Sequence, residues 1–196
     1  KDDIDVTASA SFSGYDMSTE GKQTVTVTVG SETITYEITV NSAGFVSKTY
    51  TLMFGKTYNE KGVSGYSNSW TVTVDGFTWN MSNWNNNNNG WSFVRAGSKK
   101  AALIATIETA ASMPYSIKTV KMTIDAVTST NINSIKMEVL LDGKVLETVS
   151  GSTIAKGDCV FNISNPQKDC KFKIYVDCKK SSNGTITVSK VTYSNE

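Results

Sequence analysis

The stretch WTVTVDGFTWN, at residues 70–80, decides the fold class of this chain. Apolar and polar residues alternate on both sides of Asp75 and Gly76, which is the period of a β-strand with one buried face. An Asp-Gly pair between two such runs predicts a two-residue type I′ turn, because both central residues of that turn need a positive φ. We therefore predict a β-hairpin here.

Two further hairpins follow the same pattern. The runs SIKMEVLL and KVLETV lie on either side of Asp142-Gly143, and QTVTVTV and TITYEITV lie on either side of Gly30-Ser31, which favours a type II′ turn. The composition of residues 101–112 also permits a helix, but the alternation within it favours a strand. Short antiparallel strands joined by hairpins predict an all-β sandwich. Other predicted strands are residues 48–54, 91–94, 101–109, 116–127, 159–163, 170–178 and 184–193.

The composition argues against several classes of function. Arg95 is the only arginine and the net charge is +1, whereas nucleic-acid recognition favours arginine forks and basic patches. The chain has no histidine, which removes the commonest general base and every Ser-His or Cys-His pair. No apolar stretch approaches the ~20 residues of a membrane span. We therefore expect no enzyme, no nucleic-acid binder and no insertion into a membrane.

The first forty residues resemble part of a known repeat. The stretch FSGYDMSTEGKQTVTVTVGSETITYEITV, at residues 12–40, has a Gly-Tyr-Asp turn, a further glycine and two alternating strands. In this it resembles the C-terminal part of the immunoglobulin-like repeats of Gram-positive surface proteins (group 3 type). The resemblance implies a partial, three-stranded immunoglobulin-like domain at residues 1–41. So small a piece cannot bury a core alone, so we expect it to pair with the second domain or with another chain.

The rest of the chain resembles a second family in its pattern. The small-residue segment NSAGFVS contains a predicted linker, residues 42–46, and the second domain then covers residues 47–196. Its hairpin WTVTVDGFTW, the turn RAGSKKAALIAT, the strand IKTVKMTI and the closing strand GTITVSKVTY resemble galactose-binding-like β-sandwich modules, which have a jelly-roll architecture. This resemblance implies a secreted or surface protein of a bacterium, and it identifies no ligand.

The stretch NMSNWNNNNNGW, at residues 80–91, is the best candidate for a binding site. Aromatic rings stack on the apolar face of a sugar, and asparagine both donates and accepts the hydrogen bonds that hydroxyls need. The alternation places Trp70 and Trp79 in the core, whereas Trp84 is flanked by asparagines and is well placed for exposure. A structural or inert loop is the alternative. The candidate ligand-binding residues are Trp84, Asn83, Asn85, Asn86 and Trp91.

Calcium and the cysteines complete the candidate chemistry. A structural calcium ion would need several carboxylate or carbonyl oxygens, for which Asp75 and Asp125 are weak candidates. Otherwise we expect no cofactor.

Cys170 and Cys178 share one face of the strand CKFKIYVDC, about 26 Å apart at ~3.3 Å per residue, which is too far for a disulfide. We predict that both thiols are buried as small apolar groups.

These features predict a non-catalytic binding or adhesion module, located outside a bacterium or on the wall of a Gram-positive cell. Its expected partner is a polysaccharide or a cell-surface glycan of a host. The alternatives are a structural spacer without a ligand and an accessory domain of a secreted glycoside hydrolase.

Overall fold

The structure, a computed structural model, describes residues 9–16, 21–40, 47–58, 63–86 and 90–196. The chain divides into two compact units, Lys1–Val46 and Ser47–Glu196. The predicted linker at residues 42–46 lies outside the described residues. Within the described ranges no residue is in an α-helix, and no helix has the length and apolar character needed to cross a membrane. The expected all-β fold with antiparallel sheets is confirmed.

The first unit is a three-stranded antiparallel sheet in the order β1-β2-β3. Gly14 follows β1 with a φ of +82°, and a Cβ there would lie 2.6 Å from the carbonyl oxygen of Thr24, so the turn requires glycine. Strands β2 and β3 form the predicted hairpin around Gly30. The pairing of this sheet with the second unit or another chain remains a prediction. The strands are β1 (Ser11–Ser13), β2 (Gly21–Val29) and β3 (Glu32–Val40).

The second unit consists of two antiparallel sheets. One sheet has six strands in the order β11-β10-β13-β8-β6-β5, and the other has the order β12-β9-β14-β4, with β7 also paired to β14. The strands are β4 (Thr49–Met53), β5 (Ser69–Val74), β6 (Phe77–Ser82), β7 (Val94–Ala96), β8 (Leu103–Thr109), β9 (Thr119–Val127), β10 (Ile132–Leu141), β11 (Lys144–Ser150), β12 (Gly157–Asn162), β13 (Lys171–Cys178) and β14 (Ile186–Ser194).

Both predicted Asp-Gly turns have the backbone conformation that their sequences indicate. Asp75 and Gly76 have φ values of +49° and +77°, and Asp142 and Gly143 have values of +51° and +76°. A type I′ turn needs a positive φ at both positions, and its twist matches that of the strands it joins. These turns fix the register of the β5–β6 and β10–β11 hairpins.

The core lies between the two sheets. Tyr193 of β14 contacts Trp79 of β6 and Phe172 of β13, with ring centroids 6.1 and 5.8 Å apart. Strand β13 alternates between buried and half-buried residues along its whole length, as the pattern predicted. The burial of Cys170 and Cys178 is confirmed, and desolvation raises the pKa of the Cys178 thiol to about 12.

Two predicted strands are wrong at their start by three residues. One was predicted from residue 116, but β9 begins at Thr119. The other was predicted at residues 91–94, but β7 begins only at Val94. The ring of Trp91 stacks on that of Phe93, with centroids 4.9 Å apart. The carbonyl oxygens of both residues accept hydrogen bonds from the side chain of Asn86, which replaces a strand partner. Local side-chain bonding therefore outcompetes sheet pairing at these positions.

Candidate functional site

Trp84 does not provide an exposed aromatic surface. Its side chain is fully buried, at 0% exposure, and its Nε1 donates a hydrogen bond to the carbonyl oxygen of Thr106 at 3.1 Å. Continued alternation along β6 would have turned residue 84 toward solvent. Asn83, however, has a φ of +62°, which breaks the alternation and directs the next side chain into the core. The expectation that Trp84 is exposed is therefore wrong, and a ring without an exposed face cannot stack on a sugar.

The other candidates around Trp84 mainly organise the loop. Asn86 is fully buried, and its Nδ2 donates to the carbonyl oxygens of Trp91 and Phe93, each at 2.8 Å. Asn85 exchanges two backbone hydrogen bonds with Arg95, at 2.8 and 2.9 Å. The half-buried Trp91 ring has the Arg95 guanidinium 5.1 Å from its centroid. These contacts explain the positions of Asn85, Asn86 and Trp91 without a ligand, and the Oδ1 of Asn86 is buried with no hydrogen-bond partner among the described residues. Residues 87–89 lie outside the described residues.

Among the predicted residues, Asn83 lines a substantial pocket. This pocket, here called the loop pocket, has a volume of about 700 Å³ and lies at the end of β6 and the start of β8. Asparagine tolerates the left-handed conformation found here. Its Nδ2 donates to the carbonyl oxygen of Ile104 at 2.8 Å, which holds the side chain in place. The loop pocket is lined by Gly65, Tyr66, Ser67, Asn83, Ser98, Lys100, Ala101, Ala102, Leu103 and Asn183.

Backbone hydrogen bonds hold the loops around this pocket together. Ser181 N donates to Ser98 O and Gly184 N donates to Gly97 O, both at 3.1 Å, which joins the loop before β8 to the loop before β14. The side-chain oxygen of Asn183 accepts a further bond from the backbone N–H of Lys99 at 3.1 Å. The walls are thus tied at three points, and the side-chain amide nitrogen of Asn183 has no partner among the described residues.

Tyr66 supplies the aromatic side chain of the pocket. Its hydroxyl would lie 3.3 Å from a Cβ placed on Gly184, and the Arg95 side chain would lie 3.0 Å from the same point. Gly184 also has a φ of +72°. Glycine therefore allows Tyr66 and Arg95 to approach the backbone closely at this position. Asn68 Nδ2 donates to Gly65 O at 2.9 Å and steadies the loop that carries the tyrosine.

Reasoning from the sequence missed Tyr66, Ser98, Lys100 and Asn183. They lie in three loops that are far apart in sequence, and only the pairing of the strands brings them together. The one signal available was local. Gly65-Tyr66 falls within a long polar loop between two strands, the kind of segment that often carries function.

The pocket is polar, with little charge. Lys100 is the only charged residue among the described residues that line it. Its other polar side chains are hydroxyls and amides, which suit a ligand that both donates and accepts hydrogen bonds.

The weak calcium candidates are placed apart from this pocket. Asp75 lies in the β5–β6 turn and Asp125 on β9 of the other sheet, where it accepts a hydrogen bond from Ser189 at 3.0 Å. Over the ranges that the structure describes, no three carboxylate or thiol residues are grouped closely enough to hold a metal ion. Bound calcium remains a prediction.

Comparisons with known proteins identify no family. No protein-family model and no curated protein matches the sequence. Two similar solved structures contain the CBM51-2 and INT domains of ZmpB from Clostridium perfringens. In the second of them, CBM51-2 is in complex with GlcNAc. Each is 15% identical in sequence to this chain. The first has a TM-score of 0.34 over 97% of this chain, and the second has a TM-score of 0.32 over 96%. The chain covers 41% of each of those chains. Neither description names an immunoglobulin-like repeat, so that resemblance remains a prediction.

Proposed function

We propose that this chain is a non-catalytic module of an extracellular bacterial protein, and that its Ser47–Glu196 unit binds a glycan in the loop pocket. The observation that carries the proposal is the convergence of one aromatic ring, Tyr66, with the side chains of Asn83 and Asn183 on a single concave space. Its volume of about 700 Å³ lies within the usual range for small-molecule sites.

The chemistry of a sugar matches this set of side chains. A pyranose has an apolar C–H face that packs on an aromatic ring, and its hydroxyls both donate and accept hydrogen bonds. Nδ2 of Asn83 is bound to Ile104 O, so its Oδ1 is the atom left to accept a hydroxyl. The Oδ1 of Asn183 is bound to Lys99 N, so its Nδ2 is the atom left to donate. The two amides thus offer complementary groups to one ligand.

The loops that line the loop pocket are already held together in the absence of a ligand, which favours a binding function over a structural spacer. The loops before β8 and β14 are joined by two backbone bonds at 3.1 Å, so a ligand would not have to order them. Lower ordering cost leaves more of the contact energy for affinity. A rigid double sheet that presents binding loops at one end is a common arrangement for recognition.

The test is a binding screen followed by calorimetry. The chain is applied to an array of bacterial, plant and host glycans, and hits are titrated with the wild type and with Tyr66→Ala and Tyr66→Phe. We expect Tyr66→Ala to weaken binding at least about tenfold, which corresponds to about 1.4 kcal/mol. Tyr66→Phe should retain most of the affinity, because the ring provides the stacking surface.

Tyr36→Ala is the matched control, since Tyr36 is an exposed tyrosine of the first unit, at 46% exposure. It should leave affinity unchanged. If no glycan binds, a structural spacer becomes the better account of the chain. If a glycan binds and Tyr66→Ala binds it as tightly as the wild type does, the loop pocket is the wrong site.

A further inference from the structure

A second depression lies on the outer face of the six-stranded sheet, next to the loop pocket. It has a volume of about 550 Å³ and is here called the sheet groove. Its floor is the seam between β6 and β8, where Asn80 pairs with Glu108 and Ser82 pairs with Thr106. The sheet groove is lined by Ser69, Trp70, Thr71, Asn80, Met81, Ser82, Thr106, Glu108 and Lys173.

The groove and the pocket follow one another along the same two strands. Ser82 lines the groove and the next residue, Asn83, lines the pocket. On β8, Thr106 lines the groove and Leu103 lines the pocket. The bond from Asn83 Nδ2 to Ile104 O crosses the junction between them. Since β8 rises about 3.4 Å per residue, the path from Leu103 to Glu108 is about 17 Å long, which is far more than one sugar ring occupies.

The groove also has the chemistry of a sugar-binding surface. Its seam presents the amide of Asn80 and the hydroxyls of Ser82 and Thr106, which donate and accept hydrogen bonds. Its two charged residues neutralise each other, because Lys173 Nζ lies 2.9 Å from Glu108 Oε2. The groove therefore has no net charge of its own and suits a hydroxyl-rich, uncharged chain.

We infer that the loop pocket and the sheet groove together bind one extended oligosaccharide, with one end in the pocket and further sugar rings along the β6–β8 seam. This inference rests on the proposed function and specifies its ligand class as a linear polysaccharide rather than a single terminal sugar. Each additional ring that reaches the groove gains hydrogen bonds that a monosaccharide in the pocket cannot make.

The experiment measures affinity against chain length. Linear oligosaccharides of one to six residues, prepared from cellulose, chitin and xylan, are titrated into the full chain by calorimetry. We expect affinity to rise at least about tenfold from the monosaccharide to the longest oligosaccharide of a series that binds, and then to level off. Asn80→Ala should weaken the longest oligosaccharide about fivefold, as expected for a lost hydrogen bond, and leave the monosaccharide unchanged.

Two variants separate the outcomes. Asn133→Ala changes an exposed asparagine of the same sheet, on β10 outside the groove, and should leave every affinity unchanged. Tyr66→Ala should weaken all lengths alike. Affinity that is independent of length, or an Asn80→Ala variant that matches the wild type at every length, overturns the extended site and leaves the pocket proposal standing. Absence of binding at any length overturns the extended site, and absence of binding to every glycan of the array overturns the proposed function itself.

Discussion

Trp84 was predicted to bind a ligand, but in the structure its side chain belongs to the core. The free energy of unfolding of Trp84 variants tests this placement. Its ring is fully buried, its Nε1 bonds to Thr106 O at 3.1 Å, and its own carbonyl oxygen accepts a bond from Trp70 Nε1 at 3.0 Å. Truncation to alanine removes the largest type of side chain and leaves a cavity that the surrounding strands can fill only in part. We therefore expect Trp84→Ala to lower the free energy of unfolding by about 3–5 kcal/mol.

Trp84→Phe should cost less, at roughly 1–3 kcal/mol, because it keeps one aromatic ring but loses the hydrogen bond to Thr106 and part of the packing. Losses of this size are measurable, since whole domains are stabilised by only about 5–15 kcal/mol. The assay is equilibrium unfolding in urea, followed by far-ultraviolet circular dichroism. The variant Trp84→Phe should also bind glycan as the wild type does, because residue 84 does not line the loop pocket.

Trp91→Ala is the matched control for this prediction. Trp91 is half-buried and rests on Phe93 in a loop, so its removal should cost clearly less than that of Trp84. The reasoning is refuted if Trp84→Ala lowers the free energy of unfolding by less than about 0.5 kcal/mol, the value typical of a surface substitution. It is also refuted if Trp84→Phe folds normally and loses glycan binding, because that result would return the residue to the ligand site.

Three further outcomes follow from the structure. Gly97→Ala should destabilise the chain by about 2 kcal/mol or more in urea unfolding, because its Cβ would lie 2.6 Å from the Cβ of Thr185. Gly157→Ala is the matched control and should cost less, because Gly157 has a similar φ of +117° and no atom within 4 Å of the added Cβ. Tyr175→Phe should lower stability at pH 7, and this loss should shrink as the pH falls below about 4.3 in the same assay. The Tyr175 hydroxyl bonds to Glu138 at 2.6 Å and holds the pKa of that carboxyl below its usual value, so the stabilisation is present above about pH 4.3 and is lost as pH falls through the lowered pKa. The three buried cysteines should react with a thiol reagent at pH 8 only after unfolding, and labelling of the native protein would contradict their burial.

The hairpins were predictable because their signals are local. An Asp-Gly pair specifies a positive φ at two adjacent residues, and nothing distant has to be known to infer the turn. The strand alternation was equally direct, since one face of each strand must be apolar to cover a core. It correctly placed Trp79 inside and indicated the all-β class, whereas Trp70, which the same rule placed in the core, is only half-buried against it.

The candidate site was less predictable because one residue changed the phase of the pattern. No local signal indicated that Asn83, rather than a glycine, would take a positive φ at the end of β6. That single dihedral angle moved Trp84 from the expected surface to the core, and the alternation rule has no means of detecting such a break. A prediction of exposure made from polar neighbours fails wherever a turn in the backbone directs the side chain into the core.

The same residue links the core to the proposed binding site. The positive φ of Asn83 turns Trp84 inward, where it packs beneath β8, and Nδ2 of Asn83 then reaches Ile104 on that strand. Burial of the tryptophan and placement of the asparagine in the loop pocket are therefore two consequences of one backbone conformation. The predicted stretch at residues 80–91 does contribute to the candidate site. It does so through Asn83, which positions the buried ring of Trp84, and not through that ring. A site built this way is held by the core, which is why its geometry should persist without a ligand.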